Sequence, residues 1–358
     1  MNKILKNVDF IIEVHDARAM FCGRPSLFKN FDMLRPRILV FNKIDLAENF
    51  SKNRVLEQLH ETEDTTLLKH VVFTQLNQRQ NIIAFVNNLF KMIKSIDNHE
   101  DFDMNVDEQK PYICLVVGLP NCGKSTLISG LRSLTYGKNS SARVGRTAGE
   151  TTSISQPINI SSSKHLKLQG FDLERDVQMI DTPGILEPNN SKITSQLTLA
   201  CFGLIKQDNL DKVIILDYLL FMWNFKKFQG YHKYLKLDGP VDDVDELISQ
   251  TAKRHNLYFS VQNKPTFHQK FEDFEEYEKY ISSSRSQINL DRTCVFILRE
   301  FSLGKMGRFS ITQEDEEYAR SRKEFNTKLG GDQRETSNLR SAFWGFQLHR
   351  VSESTYLS

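Results

Sequence analysis

The chain has 358 residues, a length that fits one α/β domain of ordinary size with a smaller second domain. Its formal net charge of +2 is too small to indicate nucleic-acid binding by bulk electrostatics, so any such contact would need a local basic patch. The five cysteines show no paired metal-binding spacing and predict free thiols in a reducing compartment rather than a disulfide framework.

Membrane and targeting segments are not indicated by the sequence. The longest late apolar run, Val213 to Trp223, contains Asp217 and is shorter than the roughly 20 residues of a membrane-spanning helix. The first residues carry Asp9 and Glu13, which a targeting peptide would avoid. We therefore expect a soluble protein without a visible presequence.

The first part of the chain alternates between strand-like and helix-like segments. Val8 to Val14, Arg37 to Phe41 and His70 to Thr74 are β-branched and apolar, which predicts parallel strands joined by crossovers. Asn81 to Ile93 carries an apolar stripe of helical period. Residues 95–110 are polar and acidic, and we interpret them as a linker between what would be the natural ends of the domain.

The next segments predict the rest of an α/β fold with a mostly parallel sheet and helices on both faces. Strands are predicted at Tyr112 to Val117, Ser153 to Ile160 and Val177 to Ile180, and helices at Lys124 to Leu134 and Thr194 to Ile205. Only helical patterns follow, at Asp211 to Phe228, Asp242 to His255, Phe267 to Ile281 and Asp291 to Phe301. We thus predict domains at 1–205 and 206–311, the second all-helical, and a mostly disordered tail at 312–358.

A phosphate-binding loop is predicted at Gly118 to Ser125, between a buried-type strand and a helix, which is the context that this motif requires. Its glycines let consecutive N–H groups face one phosphate, and the helix adds the positive end of its dipole. We expect Lys124 to bridge the outer phosphates and Ser125 to ligate Mg²⁺. Cys122 is interpreted as a small packing residue in preference to a redox group.

The tetrapeptide Asn42-Lys43-Ile44-Asp45 is typical of guanine recognition. The carboxylate of Asp45 can accept hydrogen bonds from the ring N–H and the exocyclic amino group of guanine, whereas adenine offers neither donor. Lys43 would lie over the purine, and Asn42 would fix the loop. This tetrapeptide precedes the phosphate loop, although in an ordinary GTPase it follows, so the order predicts a circularly permuted GTPase domain that binds GTP.

The segments that would sense the terminal phosphate come last. Asp181 of Asp-Thr-Pro-Gly is expected to reach Mg²⁺ through water, and Gly184 to donate its N–H to the phosphate, although a Pro-Gly turn after an edge strand is the alternative. Thr151 is the expected Mg²⁺-closing hydroxyl, with Thr152 as its competitor. Ile185 stands where many GTPases orient water with glutamine, so hydrolysis would depend on K⁺, a partner's side chain or the Mg²⁺ site alone.

Other side chains near the motifs have more than one interpretation. Asn121 would help to hold a monovalent cation or would stiffen the loop by local hydrogen bonds. His15, Asp16 and Arg18 follow the first strand, where an ion pair that organises the strand end is favoured over a catalytic role.

The chain resembles circularly permuted GTPases of the YlqF type, and most closely their mitochondrial ribosome-associated branch. The segments that carry this resemblance are Val8 to Arg18, Asn42 to Asp45, Gly118 to Ser125, Val144 to Thr151, Ile180 to Leu186 and, more loosely, Asp217 to Leu220 and Leu303-Gly304 near Arg299. Departures are Cys122 where valine is preferred, Ala148 where proline is common, and a start after the family's Pro-Gly-His-Met stretch, which holds a proposed catalytic histidine.

Taken with the motifs, the resemblance implies the following residue roles. Nucleotide contacts fall to Asn42, Lys43, Asp45, Pro120, Asn121, Cys122, Gly123, Lys124, Ser125, Thr126 and Gly184. Mg²⁺ ligation falls to Ser125, Thr151 and Asp181, and catalysis to Lys124, Thr151 and Asn121.

The resemblance also implies a slow GTPase, stimulated by the ribosome and dependent on K⁺, that assists late assembly of the large mitochondrial ribosomal subunit. We expect its nucleotide state to gate docking of the helical domain on rRNA, as a monomer in the mitochondrial matrix, peripheral to the inner membrane. The alternatives are a nucleotide-gated RNA- or protein-binding module with negligible turnover and a GTPase that acts on protein or membrane partners without RNA. Candidate rRNA phosphate contacts are Lys226, Lys227, Lys233, Arg299, Lys305 and Arg308, each of which is otherwise an ordinary solvated charge.

Overall fold

The computed structural model describes residues 8–22, 35–62, 68–97, 110–136, 158–159, 176–181, 193–205, 210–258 and 288–328. The chain forms two compact units. The first comprises residues 1–199, 204–206 and 308–313, and the second comprises 200–203, 207–307 and 314–358. Among the described residues, none of the helices combines the length and apolar character needed to cross a membrane.

The first unit contains a six-stranded sheet with the strand order β3-β2-β1-β4-β6-β5. Its strands are β1 (Phe10–Asp16), β2 (Arg37–Asn42), β3 (Leu68–Phe73), β4 (Tyr112–Val117), β5 (Ile158–Asn159) and β6 (Val177–Asp181). All neighbouring pairs are parallel except β5 with β6, which is antiparallel. The predicted mostly parallel sheet is therefore confirmed, and the strand that leads into the phosphate loop lies beside the first strand of the chain.

Both faces of the sheet are buried. Leu39 and Phe41 of β2 pack with Val55 and Leu59 of α1 (Lys52–Thr62), and all four are at most 7% exposed. Because side chains alternate along a strand, Val40 lies on the opposite face, and its exposure is 0%. A strand buried on both sides reads as a continuous apolar run, as Arg37 to Phe41 does after its first residue.

Two further helices, α2 (Arg79–Asp97) and α3 (Lys124–Tyr136), pack against each other in the first unit. They come close at Gly130, where an added Cβ would lie 2.1 Å from Cδ1 of Ile82. α2 extends through Asp97, so the first residues of the predicted linker are helical, and residues 98–109 lie outside the described residues. The last helix of this part is α4 (Ile193–Cys201).

The second unit is built of helices whose ends are set by capping side chains. They are α5 (Lys212–Phe225), α6 (Gly230–Leu235), α7 (Val244–His255), α8 (Leu290–Ser302) and α9 (Gln313–Lys328). Asp211, Asp243 and Asn289 accept backbone N–H groups at the starts of α5, α7 and α8. The predicted helix Phe267 to Ile281 lies outside the described residues.

An aromatic cluster forms the centre of the helical unit. The ring of Trp223 stacks on Tyr231 at 4.6 Å and meets Phe301 edge-on at 5.3 Å. Trp223 has 0% exposure, so these contacts join α5, α6 and α8 in one core.

The tail prediction is wrong at its beginning, because Gln313–Lys328 is helical. Its first turn carries Glu314, Asp315 and Glu316, which suit the positive end of the helix dipole. Tyr318 stacks on Phe225 at 4.2 Å. The charged composition concealed this helix, whose Glu316 and Ala319 are buried, and residues 329–358 lie outside the described residues.

Asp217 of α5 provides a test of this helical packing. Burial, together with repulsion from Asp243 and Asp245, raises the pKa of Asp217 to about 7, from an ordinary value of 3.8. The folded state holds this proton more tightly than the unfolded chain, so the associated stability is present below pH 3.8 and is lost as the pH rises to about 7. Asp217→Asn should therefore raise the free energy of unfolding at pH 8 by about 1 to 3 kcal/mol.

Thermal unfolding of Asp217→Asn at pH 4 and pH 8 measures this effect. The variant should gain stability at pH 8 and little at pH 4. Asp238→Asn is the matched control, because its carboxylate is exposed and pairs with Arg254. Equal shifts at the two pH values would mean that the ionised Asp217 is not the cause.

Candidate nucleotide site

The strands that precede the guanine tetrapeptide, the phosphate loop and the Asp-Thr-Pro-Gly segment end at one edge of the sheet, because parallel strands carry their following loops on the same side. Asp16 at the end of β1 is in register with Asn42 at the end of β2. Val116 of β4 is in register with Asp181 at the end of β6. Strands β2, β4 and β6 therefore end at this edge of the sheet, with β1 between β2 and β4. The motifs nevertheless follow one another along the chain in the permuted order.

The phosphate loop curves between β4 and α3 with three residues at positive φ, namely Gly118 at 151°, Asn121 at 55° and Gly123 at 115°. A Cβ on Gly118 would lie 2.2 Å from the carbonyl oxygen of Val14, so glycine is required where the loop crosses β1. The ammonium of Lys124 donates to the carbonyls of Gly118 and Leu119 at 2.9 and 2.8 Å. The loop thus folds around its own lysine, which is 7% exposed.

Asn42 joins the guanine tetrapeptide to the phosphate loop. Its side-chain Nδ2 donates to the carbonyl of Cys122 at 2.8 Å, and its Oδ1 accepts the backbone N–H of Leu76 at 2.9 Å. A Cβ on Gly123 would lie 2.1 Å from Nδ2 of Asn42, so only glycine permits this approach. Two motifs 80 residues apart in the chain are thereby in direct contact.

The loop after β3 also contacts the guanine tetrapeptide, although no sequence motif indicated it. The N–H of Thr74 donates to the carbonyl of Phe41 at 2.9 Å, and the N–H of Ile44 donates to the carbonyl of Thr74 at 3.3 Å. Leu76 adds its bond to Asn42. These contacts are made by backbone groups, so the only sequence signal was the position of Thr74 at the end of the third predicted strand.

Asp45 is exposed, whereas Asn42 before it and Ala47 after it are buried. The carboxylate that is expected to read guanine is therefore accessible on a loop whose two ends are fixed. Lys43 adopts φ 62°, and its ammonium lies 2.9 Å from Oδ2 of Asp16. This contact fixes the ammonium of Lys43 against the end of β1 rather than leaving it free in solvent.

A buried ion pair supports Lys43 from the end of β1. Arg18 donates from Nε and Nη2 to the two oxygens of Asp16 at 2.9 and 2.8 Å. Burial alone would raise the pKa of Asp16, but the charges of Arg18 and Lys43 outweigh it and hold that pKa well below its usual range. The predicted ion pair at the strand end is confirmed for Asp16 and Arg18, whereas His15 bonds to Glu13 at 2.6 Å.

The remaining predicted site residues are placed as follows. Ser125 is exposed, and Pro120 and Thr126 are half-buried, all within the phosphate loop or the first turn of α3. Burial raises the pKa of the Cys122 thiol despite the nearby charges of Lys124 and Lys43, which supports the packing interpretation over a redox role. Thr151, Thr152, Gly184 and Ile185 lie outside the described residues.

The residues present fit a hard divalent cation. Ser125 offers an accessible hydroxyl at the start of α3, and Asp181 ends the neighbouring strand β6. The described residues contain no cluster of three His, Cys, Asp or Glu side chains that would form an all-protein cage. A Mg²⁺ ion held by one or two protein oxygens, phosphates and water has no need of such a cage.

Comparisons with known proteins identify the family. A family model described as 50S ribosome-binding GTPase matches residues 113–264. Mitochondrial ribosome-associated GTPase 1 of Ictalurus punctatus is 34% identical over 253 residues, which cover 69% of this chain and 72% of that protein. The chain belongs to the mitochondrial ribosome-associated GTPase family.

Two other relatives and one solved structure are also similar to this chain. Mitochondrial ribosome-associated GTPase 1 of Xenopus tropicalis is 31% identical over 252 residues, covering 70% of this chain and 75% of the relative. Mitochondrial GTPase 1 of Schizosaccharomyces pombe is 28% identical over 336 residues, covering 88% of each chain. GDP-bound YlqF matches 88% of this chain and 99% of its own, with a TM-score of 0.48 and 21% sequence identity.

The GTPase is circularly permuted, as the motif order predicted. Its guanine tetrapeptide follows β2, its phosphate loop follows β4, and Asp181 ends β6. The bond from Asn42 to Cys122 brings the guanine tetrapeptide into contact with the phosphate loop, although the two lie 80 residues apart in the chain. The expectation of a permuted α/β GTPase domain with a helical partner is confirmed.

Proposed function

We propose that this GTPase is a factor for late assembly of the large mitochondrial ribosomal subunit, and that its nucleotide state gates docking of the helical domain on rRNA. The observation that carries the proposal is the contact of Asn42 with the phosphate loop, which brings the guanine-reading and phosphate-binding elements to one site. Membership of a family whose members are named ribosome-associated supports the ribosomal part.

In the proposed site, each end of the nucleotide would bind to a different part of the sheet edge. Asp45 would accept two hydrogen bonds from guanine, and Lys43, held by Asp16, would cover the purine face. Lys124 would exchange its two loop carbonyls for the outer phosphate oxygens and so stabilise the charge that develops there during hydrolysis. The exposed amide of Asn121 would help to hold K⁺ beside these phosphates.

Mg²⁺ would be held by Ser125 and Thr151 directly and by Asp181 through water, and it would neutralise the phosphate charge. Thr151 and Gly184 would close on the terminal phosphate, so that their segments respond to the presence of GTP. We propose that this response is the signal that the helical domain transmits to the ribosomal subunit.

Fewer cations are available for rRNA docking than the sequence suggested, because three of the six candidates already bind groups within the protein. Lys226 pairs with Asp315 at 3.2 Å, and Lys305 pairs with Glu300 at 2.8 Å. Arg308 donates to the backbone of Ala47. In the described part of the chain, the three remaining candidates are exposed and form no ion pair, namely Lys227, Lys233 and Arg299.

Lys233 and Arg299 belong to one local surface. Tyr234, next to Lys233 on α6, donates its hydroxyl to Glu300, which follows Arg299 on α8. This bond joins α6 and α8 next to Lys233 and Arg299. We propose this junction as the rRNA phosphate contact, and we further propose that the protein acts as a monomer in the mitochondrial matrix, peripheral to the inner membrane.

Single-turnover GTP hydrolysis with and without purified large mitochondrial subunits, in K⁺ and again in Na⁺, tests this function. We expect acceleration by subunits, greater in K⁺, and association that weakens steeply with salt because phosphate contacts release counterions. Lys233→Ala with Arg299→Ala should weaken association and flatten its salt dependence, whereas the exposed Lys253→Ala on α7 should not. No acceleration in any condition would favour a nucleotide-gated binding module with negligible turnover, and salt-insensitive association would favour a partner without RNA.

A further inference from the structure

A short segment beyond the helical unit contacts the guanine-recognition loop. Residues 308–311, here called the strap, follow α8 and its turn and pack with the first unit. The N–H of Phe309 donates to the carbonyl of Leu46 at 3.0 Å. The hydroxyl of Ser310 accepts the N–H of Glu48 at 3.0 Å, across 262 residues of chain.

The side chain of Arg308 makes a third bond between the strap and the guanine-recognition loop. Its Nε donates to the carbonyl of Ala47 at 2.5 Å. The backbones of Leu46, Ala47 and Glu48, which directly follow Asp45, are therefore each bonded to the strap. Such a continuous set of bonds restrains the exit of the guanine loop, which has no regular secondary structure of its own.

The strap also contacts the short turn Ala17–Ala19 that follows β1. The N–H of Ile311 donates to the carbonyl of Arg18 at 2.9 Å. Arg18 in turn pairs with Asp16, the carboxylate that bonds Lys43. Phe309 and Ile311 are each 1% exposed, so the strap is anchored by two buried side chains.

Guanine recognition needs such a restraint because Asp45 must present both carboxylate oxygens to two donors of one rigid base. Lys43 occupies the left-handed region of φ, which is unfavourable for lysine, so the loop conformation depends on its surroundings. Asn42 and Thr74 hold the loop before Asp45, and the strap holds it afterwards.

We propose that Arg308, Phe309 and Ser310 are positioning residues for guanine recognition, which fix the loop after Asp45 so that base affinity and base discrimination depend on the strap. This inference rests on the proposed role of Asp45 as the guanine acceptor. It assigns to Arg308 a task at the nucleotide site in place of the rRNA contact that the sequence suggested.

Ser310→Ala gives the most direct test, because it removes only the hydroxyl that accepts from Glu48. Binding of GDP and IDP is measured without ribosomes, since IDP lacks the exocyclic amino group and makes one fewer bond to Asp45. A lost hydrogen bond should weaken GDP binding about 3- to 10-fold and IDP binding less, so that the ratio of their affinities falls. Ser310→Thr should restore both values, because threonine keeps the hydroxyl.

Arg308→Ala provides a second, independent variant at an exposed side chain, and it should lower the GDP to IDP affinity ratio in the same direction. Ser321→Ala is the matched control, because that hydroxyl bonds only within α9, to the carbonyl of Tyr318. An unchanged ratio in both strap variants, or an equal loss for the two nucleotides, would overturn the positioning role. If the unaltered protein did not prefer GDP to ADP, the proposed role of Asp45 as the guanine acceptor would be rejected. That outcome differs from one in which the unaltered protein prefers GDP but the strap variants show an unchanged ratio, which would reject only the positioning role.

Discussion

Lys124→Ala is expected to lower kcat/KM for GTP by about 100- to 1,000-fold, because no other described side chain of the phosphate loop carries a positive charge to the outer phosphates. The ammonium is 7% exposed and is directed inward by the carbonyls of Gly118 and Leu119. A charge held in this way costs little reorganisation when phosphates replace the carbonyls. Single-turnover hydrolysis measures the effect on the chemical step, and GDP binding measures the effect on nucleotide affinity.

The loop bonds of Lys124 require a control for folding. Lys124→Ala removes two hydrogen bonds within the loop, so its melting temperature should be recorded beside that of the unaltered protein. Lys253→Ala removes an equivalent charge from an exposed site on α7 and should leave hydrolysis unchanged. Hydrolysis by Lys124→Ala at near the unaltered rate, with the fold intact, would refute the assignment of the loop.

Asp45→Asn is expected to weaken GDP binding by about 100-fold and to create a preference for XDP. An amide can accept from guanine with one atom only and points a donor at the second guanine donor, which leaves buried groups mismatched at a cost of about 2 to 4 kcal/mol. Xanthine carries a carbonyl where guanine has its amino group, and the asparagine N–H suits that acceptor. Competition between GDP, XDP and ADP measures the change in base preference.

Because Asp45 is exposed, its substitution should change base recognition without affecting the stability of the fold. The side chain has no packing role that the structure shows, so the thermal stability of Asp45→Asn should match that of the unaltered protein. Asp238→Asn in the helical unit is the control for loss of an exposed carboxylate. An unchanged preference among the three nucleotides would show that Asp45 does not contact the base.

Much of the GTPase fold was readable from the sequence because its signals are local. The strand Tyr112–Val117 was predicted with its observed bounds, since a buried parallel strand is continuously apolar and ends at a glycine. Asn42 and Gly123 were each assigned to motifs, but their contact was not predicted, because 80 residues separate Asn42 from its acceptor.

The features that the sequence did not reveal depend on backbone groups or distant packing. Thr74 supports the guanine loop through its main chain, which leaves no residue signature. Ser310 is an ordinary serine whose importance follows only from its bond to Glu48 across the chain. The helix at Gln313–Lys328 was hidden by its many charged residues, which suggested disorder although Tyr318 stacks on Phe225.

The strap has a practical consequence for dissecting this protein into pieces. A fragment that ends at residue 205 would retain every nucleotide motif yet leave Leu46, Ala47 and Glu48 without the bonds supplied by residues 308–310. The first unit includes residues 308–313, so a single cut after residue 205 removes part of that unit. Weak nucleotide binding by such a truncated protein would therefore be expected from the absence of the strap, and it should not be taken as the intrinsic affinity of the GTPase.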